Sequence, residues 1–91
     1  MEKQIELGSV VYSKAGRDSG RFFTVVEITD ADFVKIADGK LRKLASPKKK
    51  RIKHLKSQGV ILAEIAEKLV AGEEIKDAEV RKALYSYNGT K

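Results

Sequence analysis

The hydrophobic period of this chain changes once, near Gly59, and that change limits the possible architectures more than any other feature. Upstream, apolar residues come in short β-branched and aromatic runs: Val10, Val11 and Tyr12; then Phe22, Phe23, Val25, Val26 and Ile28; then Val34 and Ile36 in alternation. Such runs fit a pleated, half-buried surface. Turn residues separate them. Gly16 and Gly20 bracket one turn, because glycine takes positive φ without a steric penalty, and Asp30-Ala31-Asp32 makes the next. Asp38-Gly39 reads as a hairpin turn into a strand over Lys40 to Leu44. Pro47 interrupts the pairing, and Arg51 to Lys56 supply a last strand through Ile52 and Leu55. Downstream, Ile61, Leu62, Ile65, Ala66, Leu69 and Val70 recur at helical spacing, with Gly72 as the stop. A second helix begins at Asp77, a good N-cap, and carries Val80, Ala83, Leu84 and Tyr87 on one stripe until Asn88-Gly89.

These patterns predict a mainly β protein with an α appendage. Five strands over residues 7–56 form a small antiparallel barrel, and helices near 60–71 and 77–88 follow. The expected organisation is a β domain over 1–56, ending in the basic segment, and a two-helix extension over 57–91. Neither helix is long enough to be stable alone, so both must pack as a hairpin on each other and on the barrel.

Charge is segregated. The chain of 91 residues has 19 Lys and Arg against 13 Asp and Glu, a formal net charge of +6. The segments on either side of 46–56 nearly cancel, and that segment alone holds six basic residues and no acid. Taken from Lys40, seventeen residues hold nine positive side chains without an acidic one. Solubility needs charge but does not need it segregated, so the run points to a polyanion. A membrane surface is also anionic, but attachment there needs an apolar or lipid anchor, and the longest apolar run is the four residues Val60 to Ala63. Residues 1–6 contain no apolar stretch of signal-peptide length.

Several functions are disfavoured by composition. With no cysteine, disulfides and thiolate zinc sites are excluded. The one histidine, His54, has no evident acid–base partner. Glu64, Glu67, Glu73 and Glu74 resemble a solvated helix surface more than a catalytic pair. Neither a cofactor, a metal nor an enzymatic reaction is expected.

Residues 8–34 resemble the KOW motif of ribosomal proteins and NusG-type transcription factors. The matching positions are Gly8, Val10, Val11, Gly16, Asp18, Gly20, Arg21 and Val25. Phe23 stands where many KOW sequences have a third glycine. Residues 7–55 are similar to the eukaryotic and archaeal large-subunit ribosomal protein fourteen family and its bacterial KOW relatives. The run Val11 to Arg21 carries most of the likeness, and Ile36 to Lys43 and Lys53-His54-Leu55 extend it. The resemblance implies an SH3-like barrel and structured RNA, ribosomal RNA above all, as the partner.

The expected RNA-contacting residues are therefore Lys14, Arg17 and Arg21 around the glycine loop, Lys40, Arg42 and Lys43 after the hairpin, and Lys48, Lys49, Lys50, Arg51, Lys53 and His54 in the basic run. Arg17 and Arg21 read as exposed loop charges whose loss leaves stability intact, and Lys48 to Arg51 as a track along a sugar-phosphate backbone. Most aromatics should be core, with Tyr12 and Phe22 the best placed to stack on a base. A cytoplasmic monomer on the ribosome, with ribosomal proteins as possible neighbours, is expected. The alternative is an SH3-like module that docks an acidic protein, for example in transcription; an open aromatic groove would favour it.

Overall fold

The structure, a computed structural model, describes residues 5–89; the first four residues of the stretch tested for a signal peptide lie outside them. Five strands form one antiparallel sheet: β1 (Ser9–Ser13), β2 (Phe22–Ile28), β3 (Phe33–Ala37), β4 (Lys48–Arg51) and β5 (Leu55–Ile61), in the order β4-β3-β2-β1-β5. A single 3-10 turn, Ile52–His54, joins β4 to β5. Helices α1 (Ala63–Ala71), α2 (Asp77–Ala83) and α3 (Tyr85–Asn88) follow. Among the described residues β4 and β5, the two edges, do not pair, so the sheet is not closed into a barrel by hydrogen bonds. No helix among them is long and apolar enough to cross a membrane.

The core has two parts, and β1 separates them. Val11, Phe23, Val25, Val34, Ile36 and Leu55 are buried on one face of the sheet, with Ile5, Leu7 and Ile52 against them. Val10 points the other way and joins Ile65, Val80 and Leu84 beneath the helices. Consecutive residues of a strand face opposite sides, so two fully buried neighbours at positions 10 and 11 mean that both faces of β1 are covered. The helices thus complete the core. The expected boundary between residues 56 and 57 falls inside β5.

Three local expectations are corrected. No strand forms over Lys40 to Leu44, because Asp38 turns the chain back on itself. Its Oδ1 accepts the N–H groups of Lys40 (3.0 Å) and Arg42 (2.8 Å), and the N–H of Asp38 donates to the Arg42 carbonyl. A backbone whose donors are taken by an Asp side chain cannot offer them to a ladder. The fourth strand is instead the basic run, paired with β3 from Phe33↔Arg51 to Ile36↔Lys48. The fifth starts at Leu55, so Val60 and Ile61 are strand residues and the first helix begins at Ala63, not near 60. Val70, expected on the apolar stripe, is 76% exposed.

The helix ends follow their sequence signals more closely. Gly72 adopts φ 76°, and Glu73 N–H reaches back to the Lys68 carbonyl, the bond of a left-handed C-terminal cap. Asp77 is the first residue of α2 instead of its cap, and its carboxylate accepts the Leu44 N–H at 2.8 Å, tying the 38–46 loop to the helix. Lys68 of α1 donates to Glu79 of α2 at 2.7 Å. That hydrogen bond is the largest cause holding the ammonium above, and the carboxyl below, its ordinary range.

Gly39 lets this assembly close. A Cβ there would lie 2.3 Å from the Asp77 carbonyl oxygen, at a φ of +78°. Gly39→Ala should therefore cost about 2 kcal/mol from clash and left-handed strain together, lowering the melting temperature by about 10 °C. Gly20→Ala is the control, since φ there is +90° but nothing lies within 4 Å. Equal losses in the two variants would mean that the Gly39 contact with α2 carries no weight.

Candidate nucleic-acid interface

Register decides which charges of the basic run face out. In β3, Val34 and Ile36 point into the core, so Phe33 and Lys35 lie on the outer face. Lys49 and Arg51 of β4 stand opposite Lys35 and Phe33 and share that face. The Lys49 ammonium sits 4.9 Å from the centre of the Phe33 ring and the Arg51 guanidinium 5.0 Å. The ring thus holds two cations by its negative π face, a contact worth about 0.5–1 kcal/mol at an exposed site. Lys35 stands between two direct cross-strand partners, Glu27 of β2, 3.7 Å away, and Lys49 of β4. Like charges placed opposite each other are destabilising. Glu27 offsets part of that repulsion, and the remaining positive charge of Lys49 and Arg51 stays together on the outer face of β3 and β4.

Beside this face lies a cleft of about 820 Å³ where the chain passes from β4 to β5. Its floor is apolar, from Ile5, Ile52 and Leu55. Its rim carries Lys14, Arg51, Lys53 and Lys56, with Asp32 as the acidic lining residue. The 3-10 turn sets this rim: a one-turn link projects Lys53 outward and returns Leu55 to the core. His54 is half-buried in the same turn, and its carbonyl accepts the Lys14 N–H.

Other predicted site residues serve the fold. Arg21 is not a loose loop charge. Its Nε and Nη2 both donate to Asp38 Oδ2, at 3.2 and 2.8 Å, and the Asp38 side chain is fully buried. Arg42 makes the matching bond to Asp18, whose side chain is 5% exposed. These pairs cross-link the glycine loop and the 38–46 loop. Lys50 points inward, is 8% exposed, and donates to the Ala15 carbonyl at 2.8 Å. An ammonium can be buried there because the backbone oxygen replaces part of its hydration. Arg17 remains exposed at the loop tip, and Lys48 at the start of β4. Lys40 and Lys43 lie in the 38–46 loop, near the C-terminal helices.

The aromatics divide differently from expectation. Tyr12 and Phe22 are only half-exposed: their rings lie 5.1 Å apart, and Tyr87 of α3 covers Phe22 at 5.3 Å. Phe33, expected in the core, is the ring on the basic face. Sequence reasoning missed Phe33, Lys35 and Lys56 as members of the surface. Only the β3–β4 register brings Phe33 and Lys35 to it, and no sequence pattern specifies that register when the partner strand is a run of like residues.

No protein-family model matches the chain, and no curated protein shows significant similarity to it.

Proposed function

We propose that the protein is a non-enzymatic RNA-binding module, of SH3-like KOW type, that grips structured RNA, ribosomal RNA foremost, through the outer face of β3 and β4 and the adjoining cleft. One observation carries this: Lys35 and Lys49 are direct cross-strand neighbours beside Arg51, with Lys53 and Lys56 close by. A row of like charges that Glu27 offsets only in part is stabilised by an anionic partner with spaced charges, and a phosphate backbone is such a partner. Lysine on an edge strand also deters strand-to-strand aggregation. That role does not require Lys14 and Lys53, which lie on the rim of the cleft outside both edge strands.

The SH3-like assignment is supported by five short antiparallel strands, four of which send residues into one cluster, and by the 3-10 turn linking the two edges. Tyr87 packs on Phe22, so the pair of Tyr12 and Phe22 is half-buried instead of an open aromatic row, which favours RNA over an acidic protein.

The test is a triple variant, Lys49→Gln, Arg51→Gln and Lys53→Gln. All three side chains are exposed and accept no structural burden beyond the Phe33 contacts, so the melting temperature should stay within a few degrees. Affinity for a structured ribosomal RNA fragment should fall, and the dependence of log affinity on log salt should flatten by about one unit per lost contact. Unchanged affinity in a folded triple variant would rule out this face as the RNA site.

A further inference from the structure

A second cleft, of about 750 Å³, lies between the 38–46 loop and the two C-terminal helices. It flanks the end of β3 at Asp38, whereas the first cleft flanks the end at Asp32. Six residue steps separate those positions, so the two sites are roughly 20 Å apart along the strand. Lys43, Arg81 and Lys82 line it, and its acid, Asp38, already has both oxygens engaged. Arg81 is pre-positioned: one guanidinium N–H donates to the Gly39 carbonyl at 2.7 Å, leaving the others directed elsewhere.

Tyr85 completes this cleft. It is 54% exposed, although α3 is firmly attached. Leu84 just before it is buried, and Tyr87 packs on Phe22. The Asn88 side-chain amide accepts the Phe22 N–H and donates to the Phe22 carbonyl, both at 2.9 Å, as a neighbouring strand would. These contacts fix the backbone beneath Tyr85 while leaving its ring in water. An exposed aromatic ring on a fixed backbone beside cations is a stacking platform for a nucleobase, with the cations placed to meet the flanking phosphates.

We propose that this cleft is a subsite for an unpaired nucleotide of the bound RNA, its base stacked on Tyr85 and its phosphates beside Lys43, Arg81 and Lys82. This deepens the RNA-binding function and rests on it. A fully paired helix presents no free base face, so the preferred ligand is a duplex with unpaired nucleotides adjoining it. Stacking tolerates any base, so preference here should follow strandedness before sequence.

The test compares a blunt RNA duplex with the same duplex carrying a short unpaired extension, by fluorescence anisotropy. Wild type should bind the extended RNA about ten-fold more tightly, the gain typical of stacking one base on an aromatic ring. Tyr85→Ala should lose that gain and keep its affinity for the blunt duplex; Tyr85→Phe should retain the gain, since the ring does the stacking. Lys82→Gln should flatten the salt slope for the extended RNA only. If wild type binds both RNAs equally, or Tyr85→Ala keeps the preference, the subsite is refuted while RNA binding stands. If wild type binds neither RNA at low salt, RNA binding itself is refuted and the subsite with it.

Discussion

Asp38→Ala should destabilise the protein by about 3 kcal/mol, a large part of the 5–15 kcal/mol available to a small domain. The carboxylate is fully buried and satisfies four donors: two from the Arg21 guanidinium and the backbone N–H groups of Lys40 and Arg42. Removing it strands a guanidinium and two amides together. Deleting one member of a buried pair typically costs about 3–5 kcal/mol, and the lower end applies because Arg21 is 29% exposed and can turn toward water. In urea the midpoint should fall by on the order of 2 M. Asp38→Asn keeps an oxygen for the two amides but loses the charge, so it should lie about midway. A loss below about 1 kcal/mol for the alanine variant would mean that the pair behaves as a solvated surface bridge.

The same geometry changes what mutation of the 16–20 loop can report. Arg21 is part of a structural cross-link, so Arg21→Ala should lower stability, contrary to the sequence expectation of a neutral loop change. Lys50→Ala should do likewise, because its ammonium is bound to Ala15 inside the fold. Arg17, exposed at the loop tip, remains the residue with which to ask whether that loop touches RNA.

Affinity for structured RNA should fall a few hundred-fold between about 50 and 200 mM salt, the second large effect expected. All nine cations of residues 40–56, contacting one phosphate each, would give a log–log slope near −8 at about 0.9 per contact. The structure removes Arg42, which is paired with Asp18, and Lys50, which is buried. Lys40 and Lys43 belong to the cleft at the far end of β3. Lys48, opposite the inward Ile36, lies off the outer face, and Lys35 is paired with Glu27. On the face and rim at the near end stand Lys49, Arg51, Lys53 and Lys56, joined by Lys14 from just after β1. About five contacts give a slope of roughly −4 to −5. A slope near zero would remove the RNA proposal. A slope steeper than about −7 would mean that both ends of β3 are engaged by the same duplex.

The period-two runs, the glycine turns and the single change to period 3.6 made the order of elements legible, since each depends on residues close in sequence. Asp30 illustrates this: its carboxylate accepts the N–H groups of Asp32 and Phe33, closing the turn its position suggested. Gly72 likewise ended its helix where the apolar stripe ran out. Asp38-Gly39 was legible as a turn but not as the hub where Arg21 and the 38–46 loop meet, because Arg21 is seventeen residues away. The basic run could be counted in the sequence, but its division into outward Lys49 and Arg51 and inward Lys50 depends on pairing with β3. Four similar side chains in a row contain no alternation from which to read a register. Tyr85 and Arg81 were visible as helix residues. Their place in a cleft depends on Gly39 meeting Asp77 and Asn88 clasping Phe22. Local backbone preference settles most strands, turns and helices; that 48–51 becomes a strand in place of 40–44, and which charges remain for a ligand, is settled by partners that only folding brings together.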